Sequence, residues 1–130
     1  MDDKLFDTVF SLPYKGFREF LVLYFTFLKP ITKLTDKETL VAAEFLYRYF
    51  TYSTKYDNED YIYDKLFKTE VKREVGKLLN ISLASLSQHI LSLKKKGILI
   101  DGKFHKNIIP PVEYNENLQD FKVLLFFNKK

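Results

Sequence analysis

The sequence predicts a mainly α-helical protein with a small β-hairpin, an α+β class, and three observations predict it. Thr35-Asp36-Lys37-Glu38 has the form of a capping box and opens an amphipathic run to about Phe50. Between Thr69 and Gly97, two apolar stripes of helical spacing are separated only by Asn80-Ile81. Directly behind them, Asp101-Gly102 stands between two β-capable runs, which is a strong short hairpin signal.

A chain of 130 residues is about one ordinary domain and is long enough to bury a core. Its composition, 46% hydrophobic and 29% charged without cysteine, excludes a disordered tail, a collagen-like fibre and a disulfide-stapled module. No run approaches the ~18 uncharged apolar residues that span a bilayer. Met1-Asp2-Asp3-Lys4 has neither a secretory n-region nor the character of a transit peptide. A soluble, cytoplasmic protein with no membrane partner is expected. Lysine and the abundant Phe, Tyr, Ile and Asn all have A/T-rich codons, which points to an AT-rich genome such as that of a bacteriophage, a mobile element or a low-GC bacterium.

The net charge of +4 matters less than where it lies. Residues 1–64 hold 8 Lys or Arg against 11 Asp or Glu, whereas residues 65–107 hold 10 against 3. Residues 108–130 are balanced. One block therefore carries the whole positive excess, as an anion-facing module would; a solvated lysine face that favours solubility is the plainer reading.

In chain order, Leu5, Phe6, Val9 and Phe10 make a short apolar start, and Leu12-Pro13 with Gly16 reads as a turn. Residues 17–28 are nearly all apolar, a buried element read as a helix that Lys29-Pro30 stops abruptly. An element apolar on all sides asks for more neighbours than a small domain supplies, so an oligomerisation or docking surface is its functional alternative. The capping-box helix presents Leu40, Val41, Ala43, Phe45, Leu46, Tyr49 and Phe50 as a broad stripe. Residues 51–64 break that period, and a loop or frayed extension is expected. Their four tyrosines cover a core edge in this reading, because the acids beside them repel a phosphate backbone.

Thr69 is the expected N-cap of the next helix, with Val71, Val75, Leu78 and Leu79 as its buried face and Lys72, Arg73 and Lys77 largely outside it. Ser82 caps the following helix, whose buried side is Leu83, Leu86, Ile90 and Leu93. Gly97 behind Lys94-Lys95-Lys96 is a C-cap glycine after cations that the helix dipole favours. Ile98-Leu99-Ile100 and Lys103 to Ile109 form the hairpin, Pro110-Pro111 ends it, and Phe121 to Phe127 is a terminal strand or short helix. The expected organisation is an N-terminal apolar element (1–34), a core (35–109) and a C-terminal extension packing on it (110–130).

Helix, tight turn, helix and small hairpin is the order of a winged helix-turn-helix. Asn80 holds the turn position usually given to glycine, since Asn best tolerates positive φ among the other residues. Gly76 lies where the helices must approach closely, and Ile81 plugs the gap between them. Residues 72–99 resemble the helix-turn-helix of MarR-type winged-helix regulators and their relatives. Val75-Gly76 falls on that family's "LA" pair, Leu79-Asn80-Ile81-Ser82 on "LgiS", and Leu93-Lys94-Lys95-Lys96-Gly97-Ile98 on "LekkGli". Leu34-Thr35 with Glu38 is similar to the "LT..e" that opens the family's preceding helix, and Phe27-Leu28-Lys29-Pro30 leading into it resembles small phage-encoded winged-helix proteins.

The resemblance implies double-stranded DNA as partner and transcription regulation as role, with a dimer formed through the apolar N-terminal element. Helix 82–96 would then lie in a major groove, with Ser82 among the DNA-binding residues at its start and Ser85, Ser87, Gln88 and His89 toward the base edges. Lys94, Lys95 and Lys96, with Lys72 and Arg73, would meet phosphates, and Lys103, His105 and Lys106 would sit on the wing near a minor groove or the backbone. Two departures stand against it. The front of the helix has no Arg or Lys for guanine, and the wing is short. A protein-docking winged helix, for example in a phage virion or connector, has the same features and would use the generous apolar content.

Signs of other chemistry are missing. Glycines at 16, 76, 97 and 102 form no phosphate-cradling motif, and the lack of cysteine excludes thiolate zinc sites and thiol nucleophiles. His89 and His105 have no carboxylate at ligand spacing, and the acid pairs Glu59-Asp60 and Glu116/Asp120 stand in polar contexts unsuited to paired-carboxylate catalysis. No enzyme activity, cofactor or metal is expected.

Overall fold

The arrangement is easiest to follow outward from the longest helix. α2 (Asp36–Ser53) starts where the capping box closes: the Thr35 hydroxyl accepts from the Glu38 amide at 3.2 Å, and Glu38 Oε1 accepts from the Thr35 amide at 2.9 Å. Its middle, Val41 to Leu46, is buried all round, so elements pack on it from several sides. This is a computed structural model, describing residues 7–13, 16–114 and 120–126. Leu5, Phe6, Glu116 and Phe127, used in the sequence argument, lie outside the described residues.

α1 (Gly16–Thr32) packs along α2 and buries Phe17, Phe20, Leu21 and Phe25. Lys29-Pro30 does not stop it. A proline in the last turn removes a single hydrogen bond, and little helix remains beyond it to be disrupted. The stop comes at Lys33, whose φ of 60° breaks the helix while its amide still donates to the Lys29 carbonyl at 2.7 Å. The apolar run thus faces the chain's own core for the most part; Ile31, 79% exposed, is the exception.

The stretch expected as a loop holds a helix, and α2 itself reaches Ser53. α3 (Glu59–Leu66) starts at Asn58, whose side chain accepts from the Tyr61 amide at 3.0 Å, and it buries Ile62, Tyr63 and Leu66. Two turns are too short to show a period among so many tyrosines. Two of the four tyrosines cover a core edge, Tyr52 and Tyr63, the latter stacked on Tyr49 with ring centroids 4.9 Å apart, whereas Tyr61 is 48% exposed.

α4 (Thr69–Leu79) is capped by the backbone of Lys68, not by Thr69, which is its first helical residue. Val71, Val75 and Gly76 are buried, but Leu78 is 51% exposed, against expectation. Eleven residues make three turns, and only the side turned to α2, α3 and α5 is covered. α5 (Leu83–Lys95) buries Leu86, Ile90 and Leu93. A two-stranded antiparallel hairpin follows, β2 (Leu99–Ile100) with β3 (Lys103–Phe104). The arm expected to reach Ile109 ends at Phe104, and residues 106–109 turn away instead.

The described chain ends pair with each other, β1 (Asp7–Pro13) antiparallel to β4 (Asp120–Phe126), with Phe10 opposite Val123. The strand alternative at residues 121–127 is the one observed for 121–126, while residues 7–13 form a strand that local pattern did not disclose, so Leu12-Pro13, expected in a turn, is paired in β1 instead. One core links α1, α2, α3, α4, α5 and the hairpin, and Ile108, Ile109, Val112 and Tyr114 pack against it. Among the described residues no helix is long and apolar enough to cross a membrane.

Candidate nucleic-acid interface

The corner between α4 and α5 is built from backbone chemistry. Asn80 takes left-handed dihedrals, φ 57° and ψ 48°. The Ile81 amide then donates to the Gly76 carbonyl at 2.8 Å, and the Asn80 amide to the Lys77 carbonyl at 3.3 Å, the paired bonds of a Schellman ending. A Cβ at residue 76 would lie 2.7 Å from the Ile81 carbonyl oxygen, so glycine is required there by the turn rather than by the partner helix. Ser82 starts α5 by accepting from the Ser85 amide at 3.1 Å.

The far end of α5 closes in the same way. Gly97 has φ 79°, and the Ile98 amide donates to the Leu93 carbonyl at 2.9 Å. Asp101 and Gly102 both have positive φ, 54° and 77°, as a two-residue hairpin turn of the primed type demands. The His105 amide reaches back to the Ile98 carbonyl at 2.9 Å, so the hairpin stays against the end of α5.

A groove of about 500 Å³ runs along this corner, lined by Lys72, Arg73 and Lys77 of α4, the Asn80-Ile81 turn, and Ser82-Leu83. No carboxylate lines it, and the first turn of α5 has no acidic residue. The free amides and positive dipole end of α5 therefore add to three cations, an arrangement suited to phosphate. Among the described residues, Lys72, Arg73, Lys77, Lys94 and Lys95 hold no carboxylate.

Two other expected phosphate contacts are engaged within the protein. Lys96 Nζ donates to Glu38 Oε1 at 2.7 Å and to the Lys33 carbonyl at 2.9 Å, while Ser92 Oγ donates to Glu38 Oε2. Burial alone would push the Glu38 carboxyl up. The bonds from Lys96, Ser92 and the Thr35 amide, together with the Lys96 charge, outweigh it and hold the pKa down at about 2. On the hairpin, Lys103 Nζ bridges to Asp60 Oδ1 at 2.8 Å and lies 3.8 Å from Glu59 Oε1. Hydrogen bonding to Asp60, and its charge, raise the Lys103 pKa, and the same pair lowers that of Asp60. His105 Nδ1 accepts from the Asn107 amide at 3.0 Å, and Lys106 is exposed.

The outer face of α5 carries no charge from Leu83 to Leu91. Ser82, Ser85, Ser87 and Gln88 are exposed and His89 is half-buried. Leu83, expected inside, is 38% exposed, because a residue in the first turn lies at the edge of the helix contact. Leu91 is 44% exposed, and with Ala84, Gln88 and Lys95 it follows helical spacing along the outermost ridge. Ala84, Leu91 and the groove role of Lys77 were missed in the sequence. A face defined by what it lacks leaves no motif, although the spacing of Leu91 from the buried stripe was available as a signal. Among the described residues no three His, Cys, Asp or Glu converge as a metal site would require. Comparison with protein-family models, curated proteins and solved structures gave no match.

Proposed function

We propose that this chain is a winged helix-turn-helix protein that binds double-stranded DNA and acts as a transcriptional regulator, with α5 as the reading helix and β2–β3 as its wing. The observation that carries the reading is the placement of uncommitted cations at both ends of a helix whose outer face is uncharged. Thirteen residues make α5 about 20 Å long. The major groove is about 12 Å wide with phosphates on both rims. Lys72, Arg73 and Lys77 at one end of α5, and Lys94 and Lys95 at the other, match two rims. Exposed Ser85, Ser87 and Gln88 lie between them.

Lys106 and His105 would follow the backbone beside the wing. Lys103 reaches it only by leaving Asp60, and Lys96 serves the protein's interior rather than phosphate. A second reading, a docking module in a virion or connector, is favoured by the exposed Leu78, Leu83 and Leu91. Salt titration of binding to a 20-base-pair duplex separates the two readings. Phosphate neutralisation gives a log–log slope of about −0.9 per cation engaged, so the five uncommitted cations at the two ends of α5 predict about −4.5. Failure to retain any duplex at low salt, together with a self-association constant that holds at high salt, would replace the first reading by the second.

A further inference from the structure

We infer that α5 selects A·T-rich duplex, with Gln88 reading adenine and Leu91, Ala84 and Leu83 packing on thymine methyl groups. This rests on the duplex-binding reading above. Each base pair shows the major groove its own pattern: guanine offers two acceptors best met by Arg or Lys, and cytosine a donor best met by Asp or Glu. The ridge from Leu83 to Leu91 has none of these residues. Its central polar group is Gln88, whose amide both donates and accepts, as the N6 and N7 edge of adenine requires. The exposed apolar atoms beside it have one apolar counterpart in that groove, the thymine 5-methyl. Placed over G·C, the same leucines would strip water from polar base edges and return no hydrogen bond, so the face disfavours G·C as well as favouring A·T.

The experiment uses the whole chain and three duplexes of equal length at one low salt concentration. One is A·T-rich without A-tracts, one is the same sequence with deoxyuridine for thymidine, and one is G·C-rich. Expected affinity is about tenfold higher for the first than for the third, and uracil substitution removes about threefold by deleting only the methyl groups. Leu91→Ala reduces the thymine–uracil difference, and Leu83→Ala with Leu91→Ala removes most of it, without changing the salt slope, while Gln88→Ala narrows the A·T–G·C gap. All three positions are exposed, so folding is retained.

Equal affinity for all three duplexes would overturn the inference and leave duplex binding standing. An A·T preference that survives both uracil and Gln88→Ala would also overturn it, since the preference would then arise from minor-groove shape. No retention of any duplex would overturn both readings at once.

Discussion

Lys94, Lys95 and Lys96 are neighbours of identical chemistry, yet they belong to two different regions. Lys96 turns inward to Glu38 and helps to fasten the end of α5 to the start of α2. Lys94 and Lys95 hold no carboxylate among the described residues, as do Lys72, Arg73 and Lys77 at the opposite end of the helix. Around buried Glu44 of α2 two arginines are instead consumed. Buried Glu44 accepts from Arg18 Nε at 2.8 Å and Nη2 at 3.2 Å, and from Arg48 Nε at 2.9 Å, while Arg48 Nη1 also donates to Glu74 at 2.8 Å. A buried carboxylate must be paired, so the acids of α2 draw on Arg18 of α1, on Arg48 one turn further along α2 and on Lys96 at the C-cap of α5. Among the described residues lining the corner groove there is no acid to make that demand, so its cations stay unpaired.

The contrast breaks most visibly if Glu44 is removed. Glu44→Ala should cost about 3 kcal/mol in urea unfolding, because Arg48 is largely covered, while leaving the salt slope of duplex binding unchanged. The Glu38 cluster should reveal itself in acid. Glu38 protonates near 4.5 in the unfolded chain and about 2 in the fold, so its stabilisation is whole above pH 4.5 and lost as pH falls through 2. A loss of about 2 kcal/mol across that window, after allowing for solvent at Lys96, should flatten in Glu38→Gln when stability is measured against pH.

Neutralising Lys72, Arg73 and Lys77 together should have the opposite signature. Stability should hardly change, while duplex affinity at about 0.1 M salt falls by roughly two to three orders of magnitude and the salt slope becomes shallower by about 2.7. Lys96→Ala should lower stability and leave the slope nearly as it was. The smallest effect tests the joint between the regions. Asn80→Ala should cost about 1 kcal/mol by thermal melting, and Asn80→Gly should be close to neutral, since only the left-handed backbone is at stake.

Much of this architecture was legible residue by residue. Thr35 and Ser82 announce helix starts, Asn80 a left-handed corner, Gly97 a helix end and Asp101-Gly102 a hairpin, each within a span of a few residues. α3 was hidden because eight residues cannot establish a period, and the β1–β4 pairing because its partners lie at opposite ends of the chain. The candidate interface was half visible. The basic block and the serines of α5 were evident, but the commitment of Lys96 and Lys103 to acids was not.

What the chain dictates alone are its backbone punctuation and its surplus of positive charge between residues 65 and 107, for both follow from local sterics and simple counting. Which cations stay uncommitted, and which leucines of α5 meet solvent, was decided only in three dimensions. Those outcomes depend on where α2 carries Glu38, where α3 carries Asp60, and how far a first-turn residue lies from the helix contact. Such distances are set by packing, not by neighbours in sequence.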